Sequence, residues 1–461
     1  MGAGVSNWRL ARAAAQQGLL GTVSGTGLDS IMARQLQLGD PEGDVRRALD
    51  AFPCRETADR IRERFFVEGG KDPSQPFKPA RVLTEEHTGD EHDVLVVANF
   101  VEVYLAKEGH DGLVGINFLE KIQSPTLPSL YGAMLAGVDV IAVGAGIPRE
   151  IPGVIDRLTT HQPVQIDIHV LGKVSAGPHR LHFDPAEVVK SPAGALARPM
   201  FFPIVASVTL ANMLVKKSTS PIDGLIVEDH TAGGHNATPR GRMQLSGQGE
   251  PVYGTRDDVD LEAIRKLGVP FWVAGSCGSP EELARARGAG AQGIQVGTLF
   301  AVCQESGLTT EIKEKIMEMC AGEGLKVFTD PVASPTGFPF KVLSLPQSNS
   351  EPDVYDARCR VCDLGYLREA YERPDGTLGW RCPAESPEAY VRKGGKPEDS
   401  VGRKCLCNGL LANIGLPQLR GGGACELPLV TFGVDTAGID RVPRNGSRLY
   451  TVADVVAYLM S

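Results

Sequence analysis

Between residues 113 and 297, short apolar runs alternate with Gly- or Pro-marked turns and amphipathic stretches. This rhythm predicts repeated βα units and hence a parallel sheet or barrel. Six runs read as strands: LVGINF (113–118), VDVIAVG (138–144), FFPIVAS (201–207), DGLIVE (223–228), FWVAG (271–275) and GIQVG (293–297). LLGTVS (19–24) makes a seventh. The expected fold class is α/β, a (β/α)8 TIM barrel with its first strand missing or truncated. The first helix, roughly Asn7 to Gln17, starts too close to Met1 for a strand to precede it, so the sequence is expected to begin late.

Two insertions interrupt the rhythm, at about 40–112 and 161–198. The first contains DVLVVANFVEVYLAKEGH, whose acidic start and Lys107/Gly109 end resemble helix caps. It reads as a helix, although its nearly continuous apolar run would also suit a buried strand. The second contains the alternating runs VQIDIHVL and HRLHF around SAGP, the pattern of a hairpin laid beside the barrel. After Phe340 the βα rhythm stops. A boundary near SLPQSNSEP divides a barrel at 1–345 from a Cys-rich C-terminal module at 346–461.

The chain of 461 residues exceeds the roughly 250 of a plain barrel by enough for such an appendage. Its 42% hydrophobic and 22% charged residues are ordinary for a globular protein, and no run approaches a membrane span. The formal charge of −9 is spread along the chain without a Lys/Arg stripe, which argues against nucleic acid as a partner. Arg9 and Arg12 interrupt the apolar N-terminal stretch, and no signal-like core follows. A cytoplasmic location is the expectation, with homo-oligomerisation left open.

The stretch VPFWVAGSCGSPEELARARGAGAQGIQVGTLF holds two strands that both end in Gly-rich residues. Backbone N–H groups at strand-to-helix turns can surround a phosphate where no Cβ intrudes, and barrels often bind phosphate after their last two strands. Gly275, Gly278 and Gly297 would also serve simply to permit tight turns. On the residues alone, a bound phosphate could belong to a sugar substrate or to a cofactor.

MGAGVSNWRLARAAAQQGLLGTVSG resembles the opening of the nitronate monooxygenases, also called 2-nitropropane dioxygenases. VDVIAVGAGIP, DGLIVEDHTAGGH, WVAGSCGS and GAQGIQVGTLF resemble further signatures of that superfamily in the same order, over about residues 1–340. The superfamily also includes flavin-dependent enoyl reductases. The resemblance implies non-covalent FMN, with its phosphate between Gly275, Ser276 and Gly278 on one side and Gly297 and Thr298 on the other. It places Gly4, Val5 and Asn117 near the ring or ribityl chain. Gly233 and Gly234 would turn the chain over the flavin, and His235 of the AGGH motif would act beside it as a base or positioning donor. Imidazole suits that work because its ordinary pKa lies near neutrality. His230 is the competing histidine, with the bland reading of a loop residue hydrogen-bonded to backbone. Asn236 and Ala237, which follow the motif, depart from familiar members.

Six of the ten cysteines fall in the module: Cys359, Cys362, Cys382, Cys405, Cys407 and Cys425. C-x-x-C spacing lets two sulfurs face one ion, and four thiolates satisfy zinc or an iron–sulfur cluster. The alternative is a set of buried thiols behaving as small hydrophobes. Arg358, Arg360, Arg381 and Lys404 would offset thiolate charge. The expected function is FMN-dependent oxidation of an alkyl nitronate with O2. The alternatives are NAD(P)H-dependent reduction of an acyl-thioester enoyl group, and a non-catalytic flavin- or metal-binding subunit.

Overall fold

The computed structural model describes residues 2–80, 89–172, 177–444 and 446–461. All seven expected runs form strands: Gly21–Ser24, Val114–Leu119, Val140–Gly144, Met200–Val205, Leu225–Glu228, Phe271–Ala274 and Gly293–Gln295. They pair in parallel, each beside the next in sequence, to give one seven-stranded sheet. This unbroken order marks the barrel type of α/β fold, because doubly wound sheets reverse their strand order at a switch point.

Strand alternation explains the curl. Val140, Ala142, Phe202, Ile226 and Ala274 pack together in one apolar cluster, while Ile141, Val143, Phe201 and Val227 belong to a separate one with the helices. Side chains from all seven strands line a common interior cavity of about 410 Å³. Gly21–Ser24 and Gly293–Gln295 are the two edges of the sheet. Leu10, Ala11 and Ala14 from helix Trp8–Gln16 also line the interior, as do Val456 and Leu459 from helix Val452–Leu459. The first helix starts where expected, with Asn7 accepting from the backbone N–H of Leu10.

The DVLVVANFVEVYLAKEGH segment is helical, within Gly89–Lys107. Its apolar run suits this state because the helix is enclosed: Val96, Val97, Val103 and Leu105 are all buried. Glu102 on this helix accepts from the Trp8 backbone N–H at 2.6 Å, and burial raises its pKa to about 7. Val164–Asp167 and Arg180–Phe183 form the expected antiparallel pair. Of the SAGP turn between them, Ser175 and Ala176 lie outside the described residues. Among the described residues, no helix is long and apolar enough to cross a membrane.

The chain after residue 345 threads through the barrel's upper side. Glu369–Glu372 pairs in parallel with Val170–Leu171 of the second insertion and antiparallel with Leu378–Arg381. Further on, the Leu343 N–H donates to Val430 O, and the Val434 N–H to Thr231 O. These bonds lay segment 430–434 over the loops that follow the strand Leu225–Glu228.

Candidate active site

The loops leaving the strands Leu225–Glu228, Phe271–Ala274 and Gly293–Gln295 converge on one cavity at the C-terminal rim. Gly233, Gly234, Gly275, Ser276, Gly278, Gly297 and Thr298 line it, joined by Val5. Local backbone geometry accounts for the glycines. Gly275 has φ of +99°, and a Cβ there would come within 2.9 Å of Asp229 Cβ. Ser276 follows with φ of +46°, so consecutive left-handed residues bend the chain sharply. Ser279 then caps helix Pro280–Gly288 by accepting from the Glu282 N–H. At Gly297 a Cβ would meet no atom within 4 Å, so that glycine faces open space.

This cavity has the character of a ligand site. Thr231 Oγ1 and Gln295 Oε1, both on its lining, are buried without a hydrogen-bond partner. Buried polar atoms are nearly always paired, so two such atoms at one cavity call for a polar occupant. Neither lysine nor arginine lines it, whereas Asp435 does. An anion seated here would depend on backbone N–H groups, against the charge of that carboxylate.

A second, more apolar cavity adjoins the first. Gly2, Glu228, Gly233, Gly234 and Thr431 line both. Asn117, Phe118, Ile122, Ile204, Phe340 and Leu406 wall the second, and His235 borders it. His235 packs edge-on against Phe340, with ring centroids 4.9 Å apart, and Nε2 lies 2.7 Å from Ser334 Oγ. Ser334 Oγ is in turn 2.8 Å from Thr336 Oγ1. Burial pushes the His235 pKa down to about 4, so the imidazole is neutral around pH 7. The Gly234 N–H, next to it in the chain, donates to Thr431 Oγ1 at 2.9 Å.

Of the residues the resemblance assigns to the flavin, Gly4 alone lines neither cavity. It has φ of +66°, and a Cβ there would run into Ile414 and Ile31, so this glycine serves packing of the N-terminal turn. Gly2 and Ala3 line the cavities instead. His230 also lies elsewhere. It stacks on Tyr253 at 4.1 Å, and its Nδ1 sits 3.4 Å from Asp229 Oδ1 with no hydrogen bond, in place of the expected backbone bond. Glu228, Tyr366 and the segment from Thr431 to Gly433 are lining residues that the sequence reading passed over, and Cys407, read there as a metal ligand, lines the apolar cavity. Glu228 carried a usable signal, a charge ending an apolar strand at the rim. Segment 431–433 carried none.

The six module cysteines separate into two sets. Cys359 and Cys425 are exposed, while Cys382 and Cys405 are buried and Cys362 and Cys407 half-buried. Cys362 and Cys382 hydrogen-bond thiol to thiol, which together with burial holds Cys382 well above the ordinary thiol range. Burial likewise raises Cys405 and Cys407. Among the described residues, no group of three or more His, Cys, Asp or Glu is placed to hold a metal ion. The zinc or iron–sulfur expectation therefore finds no support here.

The nearby cations are committed elsewhere as well. Arg358 pairs with Glu426, Arg381 with Glu369, and Lys404 Nζ donates to Asn349 O. Arg360 reaches the backbone carbonyls of Pro383, Ser400 and Arg403. Thiols raised by burial need no such charges, because they stay protonated.

Comparison with known proteins agrees with the motifs. Residues 161–333 match the family model described as nitronate monooxygenase. A probable nitronate monooxygenase of Staphylococcus haemolyticus is 23% identical over 114 residues, which is 25% of this chain and 31% of that protein's length. Among solved structures, nitroalkane oxidase from Streptomyces ansochromogenes is similar over 100% of this chain and 92% of its own, at 13% identity and TM-score 0.45. FabK from Thermotoga maritima is similar over 74% of this chain and 68% of its own, at 18% identity and TM-score 0.38. The resemblance read in the motifs stands over residues 161–333, and the chain spans about a third of the length of the curated relative it matches.

Proposed function

We propose that the protein holds FMN in the glycine-lined cavity and oxidises a small alkyl nitronate in the adjoining apolar one. The observation that carries this reading is the junction itself. A cavity built from two successive Gly-rich strand ends, with two orphaned polar atoms, opens along Gly233–Gly234 onto an apolar cavity bordered by a neutral histidine. The residues suit the flavin. Gly275, Ser276, Gly278, Gly297 and Thr298 would hold the phosphate through backbone N–H groups, Val5 and Asn117 would border the rest of the cofactor, and Thr231 and Gln295 offer unspent polar atoms. When bound, a flavin supplies two-electron oxidation with O2 as the final acceptor.

The chain's own residues orient and protect that chemistry. Ser334 ties down Nε2 of His235, leaving Nδ1 as the ring atom that can hold or take a proton from a substrate. Phe118, Ile122, Ile204 and Phe340 exclude water and select an apolar substrate body. Segment 431–433 closes the cavities from the tail side.

Anaerobic mixing tests the substrate. Bleaching of the bound flavin by an alkyl nitronate is the expected result. Bleaching by NAD(P)H alone would instead favour an enoyl-thioester reductase, and indifference to both would favour a non-catalytic subunit.

A further inference from the structure

Glu228 ends its barrel strand as the one carboxylate among the residues lining the apolar cavity, and it also lines the glycine-rich one. It therefore stands at the seam between the two. Glu228 is half-buried, and among the described residues no hydrogen bond or salt bridge to a lysine, arginine or histidine engages its side chain, whereas the buried carboxylates of the tail are paired: Glu426 with Arg358 and Arg420, Glu385 with Lys393. A carboxyl drawn out of water with no cationic side chain beside it is shifted toward the neutral acid, and a neutral acid is a hydrogen-bond donor.

We propose that Glu228 keeps its proton at this seam and donates it as a hydrogen bond to the flavin seated there, so that cofactor retention depends on pH through this one side chain. The inference rests on the FMN reading above. Burial raises the Glu228 pKa to about 7, the neighbouring Asp229 carboxylate raises it further, and the positive amino terminus pulls it down. The other titratable groups facing the seam are Asp435 and Cys277 on the glycine side, the latter raised to about 11 by burial, and His235, Tyr366 and Cys407 on the apolar side. His235 is neutral near pH 7, and burial also holds Tyr366 and Cys407 protonated. Seating a flavin removes more water from Glu228 and strengthens its preference for the proton. Binding should then take up a proton above neutrality, and affinity should fall as pH rises.

The test is fluorescence titration of flavin-stripped protein with FMN and with riboflavin, which lacks the phosphate that itself titrates near pH 6. In the wild type, riboflavin should bind about tenfold more weakly at about pH 9 than at about pH 6. Glu228→Gln, which mimics the protonated acid, should keep the low-pH affinity and lose the pH step to within about twofold. FMN should show the same difference between the two proteins on top of its phosphate titration. Parallel profiles for wild type and Glu228→Gln would overturn the role of Glu228 while leaving FMN binding intact. A wild type that binds neither flavin would overturn the cofactor reading and this inference with it.

A cofactor-free measurement accompanies the titration. The folded pKa of Glu228 lies above its unfolded value, so its contribution to stability is present at low pH and lost as pH rises through about 7. Thermal unfolding of the wild type should therefore weaken relative to Glu228→Gln across that window. A constant difference between the two would show that the carboxyl is not a buried acid.

Discussion

The glycine turns and the cysteine-bearing tail face the same pair of cavities from opposite sides, and they are built on opposite principles. On the turn side, Gly275, Ser276 and Gly297 withhold side-chain volume, leaving backbone groups and two orphaned polar atoms at an open cavity. On the tail side volume is filled. Cys382 and Cys405 are buried, and Arg358, Glu426, Arg420 and Asp363 form a closed network with Arg420 Nη1 2.7 Å from Asp363 Oδ2. A ligand site needs unsatisfied groups facing space, and at this pair of cavities Thr231 Oγ1 and Gln295 Oε1 on the turn side supply them. The tail supplies part of the lining, including Leu406, Cys407 and segment 431–433.

The contrast can be broken most severely at Gly297. The open space there admits a side chain, so Gly297→Ala should fold and bind FMN more weakly, whereas Gly297→Asp adds like charge beside the phosphate and should abolish retention. Flavin content of the purified variants decides this, and Gly297→Asp protein that stays yellow would remove the phosphate from this turn. His235 tests the boundary between the two sides. His235→Ala should retain FMN and lose roughly a hundredfold or more in the rate of flavin reduction by substrate. His235→Asn should keep substantial activity if the ring only positions, and His230→Ala, away from both cavities, should be milder. Rapid-mixing absorbance separates these cases.

The tail should respond in stability instead of chemistry. Cys382→Ala removes a buried thiol that bonds Cys362, and should cost about 1–2 kcal/mol in chemical denaturation. Cys359→Ser, at an exposed thiol, should stay within about 0.5 kcal/mol of wild type. Equal losses at the two positions, accompanied by release of zinc or iron from the wild type, would restore a metal role for the module.

Much of the barrel was legible because its signals are local. Each strand is a short apolar run closed by a turn residue, whereas which face of a run points inward, Val140, Ala142 and Phe202 on one side and Ile141, Val143 and Phe201 on the other, came only from the fold because both faces are apolar. The helix within Gly89–Lys107 was harder to read, since enclosure on all sides removes the polar face that marks a helix in sequence. The glycine turns and His235 were legible through motif order. Gly4 packs against Ile414 instead of lining a cavity, a distinction sequence does not carry, because a positive φ looks the same there in either setting.

By itself, then, the sequence determined the seven-stranded parallel order and the two Gly-rich strand ends, but not the titration of the AGGH imidazole, which burial moves down to about 4. Tertiary structure alone decided which of these share a cavity. The bonds from Gly433 to Thr298, Gly234 to Thr431 and Val434 to Thr231 join positions more than a hundred residues apart, and no local pattern records them. The same holds for charge and protonation. Clustered cysteines and a strand-ending glutamate look alike as titratable groups in a sequence, and only the fold shows that Cys382 and Cys405 are buried thiols while Glu228 stands at a seam of two cavities that no lysine or arginine lines.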